Sequence, residues 1–157
     1  MNTSLMLRAG LLLGAIRTVW IAVEHLVGAR SNHLEWVEPS YGLFLFVGAP
    51  LTWFFLLRDR NQCAQPLSVK EILIAGLGAG LLSGLIHVGV FALYTEVLYP
   101  DYLDAFISWN AENSSNTLEI ANHEFRLPAF LDILLVHPIL INPVTALLVH
   151  LAVQTKG

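Results

Sequence analysis

The residues able to do chemistry in this chain of 157 residues are histidines and carboxylates set within apolar runs. His87 lies in Ile72–Thr95 and His137 in Ile133–Thr155, two stretches without Asp, Glu, Lys or Arg. Two imidazoles at matched depth on facing helices can ligate a metal ion or haem iron, with a carboxylate such as Glu24 as a further ligand. At 1.5 Å per residue His87 falls about 16 Å, and His137 about 12 Å, from the same end of the bundle, less than one helical turn apart. Against convergence, Asp132 and His137 stand about 140° apart around one helix, and no two histidines pair on one helix face. A metal- or haem-binding role for His87, His137 and Glu24 is thus an alternative expectation, and no cofactor is predicted. Glu24 also admits a second alternative, a small proton- or cation-coupled transporter that uses a first-helix carboxylate.

Other polar residues share these runs. Arg17 falls at the middle of Leu5–Val27, where an arginine in a lipid-spanning helix costs roughly 2.5–3.5 kcal/mol and must turn inward to a partner. Glu24 returns to the same face two turns on, about 10 Å away and out of reach unless the side chains lean together. Asn142 lies at similar depth, and Pro138 and Pro143 each free a carbonyl, so Asn142 or those carbonyls are the expected partners of Arg17. Gly76, Gly80 and Gly84 recur every four residues, and His87 falls within about 20° of their face. Such small residues let helices approach closely where lipid is the solvent. The expected buried polar set is Arg17, Glu24, His87 and Asn142. His25, His123 and His150 read as structural or solvated. No nucleophile–base order or nucleotide loop stands out, so no catalytic residue is predicted.

The elements that must position these residues follow from composition. Mean hydropathy is +0.63 and 13% of residues are charged, against about 25% in soluble domains. A span needs about 20 apolar residues. The chain reads as one all-α domain over 1–157, an integral membrane bundle of four transmembrane helices at about 5–27, 41–57, 71–98 and 129–153. Pro39 closes the first connection, Gly28–Ser40. Within the long third connection, Tyr102, Leu103, Phe106 and Ile107 recur at helical spacing, with Pro100 suited to a first turn. A short amphipathic helix over Pro100–Glu112 is expected at the membrane interface, or else as a lid on the bundle.

Arg8, Arg58, Arg60, Lys70 and Lys156 fall on one side of such a bundle, and Arg30 and Arg126 on the other. The positive-inside rule places both termini in the cytoplasm and the protein in the inner (plasma) membrane. Cys63 is the single cysteine, which excludes an intrachain disulfide. The net charge of −4, with no basic patch, argues against nucleic acid.

Arg58-Asp59, then Leu67-Ser68-Val69-Lys70, a glycine-rich helix and Tyr99-Pro100-Asp101-Tyr102-Leu103 resemble a bacterial family of small four-helix membrane proteins called domain of unknown function 4199. The likeness covers about a third of the chain and implies topology, with no functional residues carried over. The fourth helix, with Asp132, His137 and Asn142-Pro143, has no counterpart in it. The leading expectation for function is an accessory or assembly subunit, its glycine face docking on a second copy or on another membrane protein in the lipid bilayer.

Overall fold

The structure is a computed structural model describing residues 3–63, 67–113, 117–124 and 126–154. Lys156 and the side chains of Arg60, Cys63 and Asp132 lie outside the described residues. Helix α1 runs Thr3–Leu26; a 3₁₀ turn, Leu34–Trp36, leads into α2, Val37–Leu43; a π-turn, Phe44–Gly48, joins α2 to α3, Ala49–Cys63. Helix α4, Val69–Leu93, ends in a second π-turn, Tyr94–Leu98, before α5 (Tyr102–Asn113), α6 (Leu118–Glu124) and α7 (Leu127–Gln154). No strand occurs among the described residues. Four helices are long and apolar enough to cross a membrane: Thr3–Leu26, Leu34–Arg58, Val69–Leu98 and Ile133–Gln154.

Local sequence explains where these helices begin and end. Gly28 takes a left-handed φ of +79° just past α1. The amides of Gly28 and Ala29 bond back to the carbonyls of His25 (3.0 Å) and Glu24 (2.8 Å), the two-bond glycine cap that reverses a chain at a helix end. Ser68 opens α4 with a reciprocal cap, its hydroxyl accepting from the Glu71 amide while the Glu71 carboxylate accepts from the Ser68 amide. The second span starts earlier than the expected residue 41. Pro39 falls in the first turn of α2, where its missing N–H has no intrahelical role, so it admits the helix instead of ending the loop. Pro50 follows the first π-turn closely, so its missing donor falls where the hydrogen-bond register has already shifted.

Two core clusters define the run of the chain. One gathers Leu5 and Ala9 from the start of α1, Trp53 and Leu57 from α3, Ile72, Ala75 and Ala79 from α4, and Ala146 from late α7. The other gathers Ile21 from late α1, Val37 from α2, Phe91 from late α4, Leu134 from early α7, and Tyr102 and Phe106 from α5. The spans therefore alternate in direction, up and down, with both described ends of the chain at the first cluster. Helix α4 lies between α1 and α7. A Cβ on Gly76 would come within 2.5 Å of Pro143 Cα, and one on Gly80 within 2.8 Å of Ile139 Cα. Gly84 meets Leu135 more loosely, at 3.1 Å. The glycine face is thus covered by this chain's own α7, at the turns holding Pro138 and Pro143. On the other side, Gly10 and Gly14 of α1 receive Leu82 and Ile86 of α4. Outward faces carry large aliphatics, Leu77, Leu81 and Leu85 on α4 and Leu140, Val144 and Leu148 on α7. Small residues inside with large apolar ones outside is the packing expected where lipid is the solvent.

The amphipathic helix begins two residues later than expected. Asp101 provides its first carbonyl, to Ala105, and Pro100 lies in the preceding turn. Tyr102, Phe106, Ile107 and Asn110 are buried, with Asp101 and Asp104 exposed. Helix α5 therefore caps one end of the bundle. Helix α6, with Thr117 accepting from the Ile120 amide at its start, was not anticipated from the sequence.

Candidate functional site

The cap at Gly28 sets up the most unusual feature of the molecule. By reversing the chain after α1, it returns Arg30 over the last turn of that helix, onto Glu24. Arg30 Nε and Nη2 reach Glu24 Oε2 at 2.8 and 2.6 Å. The other carboxylate oxygen accepts from the Ser40 hydroxyl and lies 3.6 Å from Arg17 Nη1. Arg17 Nε in turn donates to His87 Nε2 at 3.2 Å, which makes Nε2 the unprotonated ring nitrogen.

All three ionic groups are buried: Arg17, Glu24 and Arg30 are 4%, 3% and 5% exposed. One carboxylate thus serves two guanidiniums, leaving one positive charge in excess among the described side chains. Aromatic faces share that load. The Arg17 guanidinium carbon lies 4.7 Å from the Tyr41 ring centre and 5.3 Å from that of Phe44. Arg30 lies 5.2 Å from both Tyr94 and Tyr102 and 5.7 Å from Phe91. Each such contact is worth about 0.5–2 kcal/mol, a partial offset to the several kcal/mol per ion that desolvation costs.

The cluster borders a cavity of about 240 Å³, walled by Arg17, Arg30, Tyr41, His87, Tyr102 and His137 and by the apolar Val37, Phe91, Phe106, Ile133 and Leu134. Three donor atoms on this wall's residues have no hydrogen-bond partner among the described residues, Arg30 Nη1, Tyr41 Oη and Tyr102 Oη, and Arg17 Nη1 has only its long ion pair with Glu24. Burial pushes the Tyr102 phenol above its ordinary pKa, against the opposing pull of Arg30, so its hydroxyl keeps its proton and remains a donor. A buried donor without an acceptor costs about 1–3 kcal/mol. Such donors packed around a cavity, together with surplus positive charge among the described buried groups, favour an anion nearby. No family model matches this chain, and neither does any curated protein or solved structure. The resemblance drawn from Arg58–Phe106 accordingly rests on its own short motifs.

The structure rearranges several expected partnerships. Arg17 does not pair with Asn142, whose Nδ2 donates to the Pro138 carbonyl (2.9 Å) and whose Oδ1 accepts from Trp53 Nε1 (3.1 Å). A cavity of about 20 Å³, bounded by Arg17, His87, Ser83 and Asn142 among others, separates the two groups and is just large enough for one water. Arg17 and Glu24 do meet across two turns, because their side chains lean together. His87 and His137 flank the Tyr41 ring, with centroid separations of 6.2 and 6.4 Å, and the His87 nitrogen facing Arg17 is occupied. Among the described residues no group of three or more His, Cys, Asp or Glu is assembled for a metal. Glu24 is enclosed by two guanidiniums, an environment that repels the cation a transporter carboxylate would bind. His150, read as structural or solvated, is buried, at 1% exposed. His25 pairs through Nδ1 with the Tyr94 hydroxyl at 3.1 Å.

Arg30, Ser40, Tyr41 and Tyr102 are the site residues that sequence reasoning missed. Arg30 counted as an outward-facing loop charge, and the signal that could have corrected this is Gly28, a residue type that commonly ends helices by folding the chain back.

Proposed function

We propose that this protein is a multi-pass membrane protein that binds a small anion, with Arg17 and Arg30 as its charge partners and Tyr41 and Tyr102 as hydroxyl donors. The observation carrying this reading is the two-to-one ratio of buried guanidinium to carboxylate among the described residues, beside a cavity bordered by Arg17, Arg30, Tyr41 and Tyr102. Orientation follows from charge. With Arg30 engaged inside the protein, Arg126 is an exposed cation on the α5 side, against Arg8, Arg58 and Lys70 on the other among the described residues. That asymmetry supports cytoplasmic termini in a bacterial plasma membrane, with the site in the outer half and α5 at the outer interface.

The expected role as a docking subunit has a weaker basis, since the glycine face meets α7 within the chain. Binding is tested by thermal unfolding of detergent-purified protein, titrated at constant ionic strength with sodium acetate, benzoate and octanoate. At a concentration about one hundred times Kd, a ligand adds about 2.7 kcal/mol of stability, several degrees in Tm for a chain of this size. At least one carboxylate is expected to raise Tm in the native protein and none in Arg30→Gln. If no carboxylate shifts Tm, the anion site is refuted.

A further inference from the structure

Building on the anion reading, we infer that the ligand is an amphiphilic monocarboxylate taken up sideways from the lipid, its head group held by Arg17 and Arg30 and its chain leaving between α2 and α7. Three observations converge on this class of ligand. First, the excess charge among the described buried groups is a single positive one. One carboxylate neutralises it, whereas a dianionic phosphate would leave a buried negative charge in its place.

Second, the cavity has two chemistries. Guanidinium, phenol and imidazole groups meet a lining of Val37, Phe91, Phe106, Ile133 and Leu134. A compact hydrated anion would leave that apolar portion facing water, while an alkyl chain would fill it.

Third, the opening faces sideways. Ile133, 38% exposed, and His137, also exposed, both border the cavity. Both residues lie on α7, an exposed flank of the fourth candidate span, so the mouth opens on the side of the bundle. The axial route is closed by α5, whose Tyr102 and Phe106 are buried in the adjoining core. The volume agrees with a chain that projects outward. About 240 Å³ falls just under the roughly 300–1,000 Å³ of pockets that enclose drug-sized ligands. It suits a carboxylate and its first carbons, the remainder lying among acyl chains.

The decisive experiment measures binding of radiolabelled sodium dodecanoate to the protein in phosphatidylcholine nanodiscs, with unlabelled acetate, dodecan-1-ol and dodecyl phosphate as competitors. Saturable binding is expected, with acetate, dodecan-1-ol and dodecyl phosphate each competing at least tenfold more weakly than unlabelled dodecanoate. Acetate competing as well as dodecanoate would keep the anion site but overturn the amphiphile. Dodecan-1-ol competing equally would overturn both, and so would no binding at all. A tighter dodecyl phosphate would overturn the monocarboxylate assignment. Because Arg17 and Glu24 variants risk misfolding, the mouth is tested separately with Ile133→Trp, a change at a partly exposed position. It is expected to weaken dodecanoate binding at least tenfold. An unchanged dodecanoate affinity in that variant would refute lateral entry.

Discussion

The two halves of the bundle are buried by opposite means. At the end holding both described chain ends, Ala9, Ala75, Ala79 and Ala146 pack with Leu5, Trp53, Leu57 and Ile72, and the limiting quantity is space. At the α5 end, a carboxylate, two guanidiniums and an imidazole are packed among aromatic rings, and the limiting quantity is charge. In lipid there is no water to drive apolar surfaces together, so the first half depends on close contact and the second on matched polar partners. A substitution should therefore be judged by volume in one half and by charge and hydrogen bonding in the other.

The largest effect expected is from Glu24→Gln. Both guanidiniums would lose their carboxylate while remaining buried, and removing one partner of a buried ion pair costs about 3–5 kcal/mol. Thermal unfolding in detergent reads this loss. Adding Arg30→Gln to Glu24→Gln should restore a large part of it, because the second change removes one of the two stranded charges. A Glu24→Gln protein with unaltered Tm would break the comparison at its charged end.

Gly80→Leu tests the volume-limited side. Its new side chain would collide with the α7 backbone around Pro138 and Ile139, where an overpacked site typically loses about 1–3 kcal/mol. Gly89 on the same helix, where an added Cβ would meet no atom within 4 Å, is the control. Gly89→Ala should be neutral or slightly stabilising. Equal tolerance at both positions would show that the α4–α7 contact does not limit stability.

Much of this contrast was legible in the sequence. The four spans follow from run length and the near absence of charge, and the buried positions of Arg17, Glu24, His87 and Asn142 follow from the cost of leaving polar groups in lipid. What could not be read was pairing. Arg17 and Asn142 lie at similar depth, yet depth fixes neither rotation nor reach, and Trp53 takes the asparagine oxygen. Arg30 looked like loop charge because a count of cations near helix ends makes no allowance for a chain that folds back at Gly28. Tyr102 was legible as part of an apolar stripe on α5. Its hydroxyl became part of a site only once α5 was laid over the guanidiniums.

Trp53→Phe sits between the two regimes. It removes the donor to Asn142 Oδ1 but keeps an aromatic ring against the small residues of the first core. Orphaning that buried acceptor should cost about 1–3 kcal/mol. Trp53→Phe paired with Asn142→Leu separates the hydrogen bond from the packing, since the double variant removes both ends of that bond, while the loss of the Asn142 Nδ2 bond to the Pro138 carbonyl is common to the single and double Asn142 variants. Non-additivity of about 1 kcal/mol in the melting data is the expected result, and strict additivity would mean the bond contributes nothing.

The smallest stability effect, and the sharpest separation of stability from binding, belongs to Tyr102→Phe. The hydroxyl removed has no hydrogen-bond partner among the described residues, so its loss relieves a desolvation cost and should leave Tm equal or slightly higher near neutral pH. Burial raises the folded-state pKa of this phenol. The folded form therefore holds its proton more tightly than the unfolded chain does, a stability contribution complete below the unfolded value and lost as pH rises through the folded one. The native protein should thus weaken on the alkaline side of about pH 10, and Tyr102→Phe should weaken less there. Its affinity for a carboxylate should nevertheless fall by about tenfold, the worth of one hydrogen bond to a charged acceptor. A variant that is as stable as the native protein yet binds more weakly would show that the charged half is built to receive an anion. If affinity were unchanged, the Tyr102 hydroxyl would play no part in recognition, and α5 would serve that half as a cover alone.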